Sequence, residues 1–341
     1  MSKTIKKETV IQIGAICLTV AVFGAAVYAV TRMLNKNNGE TSTTTYSRPT
    51  RQTPTFYYDG KYYHLKDDME VFLVMGIDEP AEARGSTSYT TYSQADVLYV
   101  YAVDHANRTY QAIQLNRDTM TGVRQITAEG VDDIEQMQLC LAHSYGNSDT
   151  MRCENTVEAV SALLFDVPVD HYISLTLEAI PILNDQVGGV TVTVPEGLEN
   201  ADPAFVAGRR VTLSGTQAEK FVRSRMILDN DTNEFRMERQ QLFLSDWKDK
   251  AAAKLNSDAG FAMSLTLILS DYMDSDMTAN QLSDFADTLN EYTDLGTLKT
   301  EGRTLGEGPN RQFREFYIDS DDLQLKVIEL FYEEAPEGAE G

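Results

Sequence analysis

Positive charge is the scarcest property of this sequence. Its 341 residues carry 29 lysines and arginines against 52 aspartates and glutamates, a formal net charge of −23. Nonspecific nucleic-acid binding needs a basic face that displaces counterions from phosphates, so that class is excluded. On so acidic a chain, any local cluster of arginines becomes informative. Cysteine is almost absent: Cys17, Cys140 and Cys153 show no Cys-x-x-Cys or Cys/His spacing that would hold zinc. Cys140 and Cys153 either pair in an oxidising compartment or remain two buried free thiols. No Gly-x-Ser-x-Gly elbow and no Gly-x4-Gly-Lys-Ser/Thr loop occurs, which removes two familiar designs for nucleophiles and phosphate binding. Of the four histidines, His143 and His171 fall inside regular elements and read as structural. Ser93, Thr119 and the tyrosines of the 81–93 loop show no base partner in sequence.

What the chain does have begins with a long apolar run. Residues 10–31 carry no charge, and a run of about 22 such residues is long enough to cross a bilayer as a helix. Lys3, Lys6 and Lys7 precede it, which predicts residues 1–9 on the cytoplasmic side and a single-pass protein with its C-terminal domain extracytoplasmic. A cleaved signal peptide, with small residues at 26–29, is the competing reading, but the run exceeds a usual signal core. Residues 32–56 are mostly Asn, Ser, Thr, Gly and Arg; they cannot bury enough surface to offset chain entropy and read as a flexible linker. Residues 57–332 hold the remaining domain, and 333–341 read as a frayed acidic tail. At 42% hydrophobic and 24% charged overall, the chain can bury a real core.

Within that domain, Val71–Met75 is a short continuous apolar strand that delivers Asp78 to its end. Asp96 opens a strand through Val103, and 110–115 forms a third, followed by Asn116-Arg117-Asp118-Thr119. Residues 133–144, 154–164, 179–187, 216–221, 234–254, 261–272, 279–289 and 321–332 read as helices. Residues 171–175, 190–194 and 313–318 read as strands, and 222–225 as extended. Interleaved strands and helices predict an α/β or mixed α+β fold, a central mixed β-sheet flanked by helices, preceded by one N-terminal transmembrane helix.

Two carboxylates at strand boundaries, Asp78 and Asp96, would suit Mg²⁺, which takes one or two protein carboxylates and completes its shell with water and phosphate oxygens. Aspartates at strand ends are also ordinary turn formers. Arg223 and Arg225, two apart on an extended segment, would point the same way. Arg236 and Gln240, four apart on a helix, share a face; Arg239, offset by about 100 degrees from Gln240, partly faces elsewhere. Arginine grips phosphate bidentately and keeps its charge. Three or four of them with one divalent cation could neutralise a pyrophosphate, or they could form a salt network with Asp229, Asp231, Glu234 and Glu238. The chemistry that fits is phosphoryl transfer by positioning and charge neutralisation, with the acceptor hydroxyl supplied by a substrate.

These residues stand in a pattern that resembles the LytR-CpsA-Psr family. Phe72–Asp78, Ala95-Asp96, Gln114–Thr119, Ala142–Gly146, Asn155–Val157, Asp185–Val190, Val222–Arg225 and Arg236–Gln241 follow the family's order across roughly 71–250. The resemblance implies a membrane-anchored phosphotransferase that moves a glycopolymer, such as teichoic acid or capsule, from a polyprenyl pyrophosphate carrier to peptidoglycan, with Mg²⁺. It implies that Asp78 and Asp96 hold the metal and that Arg117, Arg223, Arg225, Arg236 and Gln240 grip the pyrophosphate. The polyprenyl tail would lie in an apolar channel, with Val97, Leu98 and Leu163-Leu164-Phe165 as candidate walls. Three positions depart from the pattern: Gln94 and Gln138 stand where basic residues are common, and Asn233 where an acidic one is. A non-catalytic lipid-pyrophosphate-binding or envelope regulatory protein, and a lipid pyrophosphate hydrolase, are the alternatives that use the same residues.

Overall fold

A computed structural model of the protein describes residues 56–79, 93–126, 132–224, 233–258, 261–278, 281, 292–306 and 314–335. The expected membrane span 10–31, nearly all of the linker 32–56, Arg225 and nearly all of the expected helix 279–289 lie outside the described residues. Among the described residues no helix is long and apolar enough to cross a membrane.

The centre is a six-stranded mixed sheet. Its strands are β1 (Met69–Asp78), β2 (Gln94–Asp104), β3 (Thr109–Leu115), β4 (His171–Thr176), β5 (Met273–Ser275) and β6 (Thr293–Lys299), in the spatial order β5-β4-β1-β2-β3-β6. The pairs β4/β1 and β3/β6 are parallel and the other three antiparallel. Central strands covered on both faces read as continuous apolar runs rather than alternating ones, and β1 and β2 do so because helices cover each side.

Alternation of side chains sorts the core into two faces. Val71, Leu73, Met75 and Ile77 of β1 join Leu98, Val100 and Ala102 of β2 in one core. Helix α1 (Asp149–Leu163), a 3-10 helix (Leu139–Ser144) and the C-terminal helix α6 (Ser320–Phe331) close that face, through Leu139, Cys153, Val160, Val327 and Phe331. Phe72, Tyr99, Tyr101 and Tyr110 face the other way. On that side lie α2 (Ala179–Gln186), α3 (Gly215–Arg223), α4 (Asn233–Ser257) and α5 (Phe261–Leu269), which share a core of their own around Trp247, Phe221 and Leu265.

Several sequence expectations change. Residues 132–138 are a strand paired antiparallel with Met120–Ile126, not the first half of a helix; only Leu139–Ser144 turns, as 3-10. Residues 273–275 form β5 at the sheet edge, after a helix that ends at Leu269 and a short 3-10 turn. Arg223 is the last residue of α3 rather than part of an extended segment, so the same-side argument for Arg223 and Arg225 lapses. Glu333 and Glu334 pair with His64 and Tyr63 in a strand, so the tail starts further on than 333. Cys140 and Cys153 are both free and buried.

Candidate functional site

The site is built where β1 and β2 end together. Gly76 pairs with Val97 and Ile77 with Ala95, which leaves Asp96 as an extra residue in a β-bulge. Ala95 belongs to the same core as Leu98, whereas Val97 packs with Tyr99 and Tyr101 on the helix-covered α2–α5 side. The bulge therefore turns Asp96 and Val97 to one face, the use to which bulges beside functional sites are commonly put. Asp78, paired with Gln94, faces the same way.

Three elements bring arginines to these carboxylates. The turn after β3 carries Arg117; it is held by the Asn116 carbonyl, which accepts from the Thr119 backbone at 3.0 Å and its hydroxyl at 2.6 Å. Helix α4 carries Arg236. The two guanidiniums donate to separate oxygens of Asp96, whose side chain is only 2% exposed. Helix α3, started by a Ser214/Gln217 capping box, ends on Arg223. Arg223 reaches Asp78 at 2.5 Å and Glu219, one turn back, at 2.6 Å.

The three departures from the family pattern find partners here. Gln94 accepts a second bond from Arg117 at 2.5 Å. Gln138 donates to the Arg314 carbonyl at 2.5 Å and to Asp118 at 3.4 Å. Asn233 donates to the Asn116 side chain at 2.9 Å, which ties α4 to the Arg117 turn. Arg117 also donates to Cys140 Sγ at 3.0 Å. Burial pushes that thiol up to about 11, against the pull of Arg117, so it stays a neutral acceptor rather than a nucleophile.

Beside the charged cluster lies an apolar cavity of about 120 Å³ between the sheet and α2, α3 and α4. Gly76, two residues before Asp78, and Val97, next to Asp96, line it; Val222 lines it, next to Arg223; Gln240 lines it, one turn after Arg236. It extends past Tyr99 to Tyr101 and Leu244. Glycine at position 76 permits the close approach: a Cβ there would lie 2.9 Å from Val97 Cβ and 3.1 Å from Leu177 Cδ2. Gln240 Oε1 also accepts from Gln114 of β3 at 3.4 Å.

Most of the residues singled out in sequence thus meet: Asp78, Asp96, Arg117, Arg223 and Arg236 converge, and Gln240 sits in the cavity wall. Arg239 does not join them. It is buried and bonds the Phe221 carbonyl at 2.9 Å and the Ser224 carbonyl, at the C-terminal end of α3. Of the candidate channel walls, Val97 lines the cavity, but Leu98 and Leu164 lie in the core of the opposite face and Phe165 is 41% exposed. Sequence reasoning also missed a partner for Ser93, which lies 2.8 Å from His143 Nδ1. Nothing local signals that contact, because the two residues stand on different elements.

The carboxylates that could take a divalent cation are Asp78 and Asp96. Among the described residues no group of three or more His, Cys, Asp or Glu side chains gathers to hold a metal. Two hard carboxylates on one face are the donor type that Mg²⁺ takes, the rest of its shell being water and phosphate oxygens.

An acidic pair interleaved with guanidiniums therefore lies beside an apolar cavity, between a mixed sheet and a helical layer. The family described as LytR_cpsA_psr matches residues 27–322, and the chain belongs to it. Over 160 residues it is 29% identical to the polyisoprenyl-teichoic acid–peptidoglycan teichoic acid transferase TagU of Bacillus subtilis, covering 47% of this chain and 45% of that protein. Over 221 residues it is 25% identical to TagU of Halalkalibacterium halodurans, 64% of each chain. The chain thus spans about half to two-thirds of the length of these curated relatives. The same fold occurs in TagT bound to LI-WTA, with a TM-score of 0.55 at 19% identity, covering 77% of this chain and 90% of that one. It occurs again in YwtF (TagT) with bound octaprenyl pyrophosphate lipid, with a TM-score of 0.51 at 20% identity over 77% and 89%.

Proposed function

We propose that this protein is a membrane-anchored phosphotransferase that moves a glycopolymer from a polyprenyl pyrophosphate carrier to a cell-wall acceptor such as peptidoglycan. One observation carries the reading: Arg117, Arg223 and Arg236, placed by three different elements, meet Asp78 and Asp96 at the rim of an apolar cavity. The relatives named as teichoic acid transferases support the choice of polymer and acceptor. The related fold with octaprenyl pyrophosphate supports the choice of carrier.

The lipid tail enters the cavity past Val97 and Val222, and its diphosphate lies among the guanidiniums. Arg117, Arg223 and Arg236 exchange their carboxylate partners for phosphate oxygens, and Arg225, two residues past Arg223, adds to them. Gln240 orients the bridge between head and tail. The acceptor hydroxyl bonds to the sugar-side phosphorus while the bond to the lipid phosphate breaks, releasing lipid monophosphate. The hydroxyl proton leaves by way of Asp78, whose side chain is 40% exposed against 2% for Asp96. Such a loose transfer needs charge neutralisation more than basicity. Mg²⁺ held by Asp78 and Asp96 would supply further neutralisation of the diphosphate. Residues 10–31 anchor the domain, and the linker 32–56 lets it work at the outer face of the membrane.

The test is transfer from a purified lipid pyrophosphate saccharide to peptidoglycan. Asp96→Asn and Asp96→Ala are expected to abolish product while circular dichroism stays native. Full transfer by either folded variant would reject the role of Asp96.

A further inference from the structure

Behind the strand ends that carry Asp78 and Asp96 lies a second polar cluster, on the opposite face of the sheet. Alternation turns Glu79 away from the side to which Asp78 points, and Ser93 away from the side of Gln94. Glu79 is 5% exposed, His143 2%, and Ser93, Arg152 and Cys153 are fully buried. The Ser93 hydroxyl lies 2.8 Å from His143 Nδ1 and 3.3 Å from Glu79 Oε2. On the far side of the ring, His143 Nε2 lies 3.5 Å from Cys153 Sγ. The Arg152 guanidinium is 3.8 Å from Glu79 and 2.5 Å from Asp149. Ser144 Oγ donates to the Ser93 carbonyl at 2.9 Å, so residue 93 is held through its backbone as well. The 3-10 helix that carries His143 is itself tied down: the Asn155 amide donates to the Ala142 carbonyl at 2.8 Å.

Counting protons allows one direction along this chain. Burial, then the charge of Arg152, holds His143 down to about 3, so the ring is neutral and carries one N–H. Burial raises the Cys153 thiol, which keeps its proton. One arrangement then satisfies each donor in turn: Cys153 S–H to Nε2, Nδ1–H to Ser93 Oγ, and Ser93 O–H to the Glu79 carboxylate that faces Arg152. A serine with no exposed surface cannot meet a substrate, so this is no nucleophilic dyad.

We propose that the chain Cys153–His143–Ser93–Glu79–Arg152 is a clamp that positions the two site carboxylates. It grips the residue immediately after Asp78 and the residue three before Asp96, where the β1/β2 ladder stops at the pair Asp78/Gln94. Strand ends are where backbone opens most readily, and here the opening would change the spacing of Asp78 and Asp96 around the diphosphate. Ser93 and His143 are thus positioning residues, acting through the strands. The proposal rests on the phosphotransferase reading for its effect on rate, but its structural part can be measured without turnover.

The experiment uses the full-length protein and three variants. His143→Leu keeps bulk and removes both hydrogen bonds, His143→Asn keeps an N–H toward Ser93, and Ser93→Ala removes the middle link. In the His143→Leu and Ser93→Ala variants, amide exchange at 77–79 and 93–96 is expected to rise roughly tenfold while 71–73 and 100–102 stay protected. For turnover of a polyprenyl pyrophosphate saccharide, kcat is expected to fall roughly tenfold with little change in KM. His143→Asn is expected to restore most of both. Unchanged exchange at the strand ends overturns the clamp, as does uniform acceleration across the sheet, which marks general loss of stability. Faster exchange at the ends with unaltered kcat overturns its role in the reaction. Absence of turnover in the unmutated protein would overturn the phosphotransferase reading, and the exchange data alone would then decide the clamp.

Discussion

Asp96 keeps its charge almost wholly out of water because Arg117 and Arg236 each take one of its oxygens. Removing the sole partner of a buried charge costs about 3–5 kcal/mol; here Arg117 would still hold one oxygen of Asp96, so the cost falls below that range. Arg236→Ala is therefore expected to lower unfolding free energy in a urea titration by less than the double variant Arg117→Ala/Arg236→Ala does, as well as to weaken diphosphate binding. His143 makes a second residue-level prediction. Its ring titrates near 6.5 ordinarily and about 3 when folded. Between those values the unfolded state binds the proton and the folded state does not. The contribution of His143 is thus fully present above 6.5 and is lost as pH falls toward 3, at roughly tenfold in the folding equilibrium per pH unit. His143→Asn is expected to flatten stability between pH 6.5 and about 5, read from denaturant midpoints. At this scale the charged site was largely legible: Asp78, Asp96, Arg117, Arg223 and Arg236 stand out as ionic residues beside strand ends or on helix faces. The Ser93–His143 contact was not, since neither residue departs from what a core or a turn would carry.

Helix α3 delivers Arg223 only if its C-terminal end is fixed. Arg239 of α4 does this by donating to the carbonyls of Phe221 and Ser224, where the helix leaves acceptors without internal donors. Arg239→Met fills the same space without donors and is expected to cost about 2–4 kcal/mol. A drop in melting temperature would accompany weaker diphosphate binding, because Arg223 loses its base; an unchanged melting temperature would contradict the capping role. The offset of Arg239 from Gln240 was readable from helical periodicity, and so were α4 and α6 within a few residues. The strand 132–138 was not. Its residues Asp-Asp-Ile-Glu-Gln-Met-Gln are exposed over most of their length, so no alternation marks them, and Glu, Gln and Met favour helix. Pairing with Met120–Ile126 decides the outcome. Likewise the bulge at Asp96 has no sequence mark of its own; it is visible only in the register.

Across the whole molecule, the alternation of strands and helices announced a mixed sheet between helical layers, but not the order of its strands. That order depends on which distant segments pair: β5 and β6 arrive nearly 100 residues or more after the strands they border. The two helical layers also differ in kind. One face of the sheet packs directly onto α1 and α6, while α2 to α5 form a separate core and meet the sheet around the apolar cavity. That cavity of about 120 Å³ is partly open to solvent and lined almost wholly by apolar side chains. High-pressure fluorescence of Trp247, buried in the α2–α5 core, is expected to report a lower unfolding pressure for the free protein than for one mixed with a polyprenyl pyrophosphate, because a ligand that binds only the folded state stabilises it. On the phosphotransferase reading, a bound lipid tail would do in the cavity what a missing side chain would have done, joining the α2–α5 core to the sheet along an unbroken apolar seam.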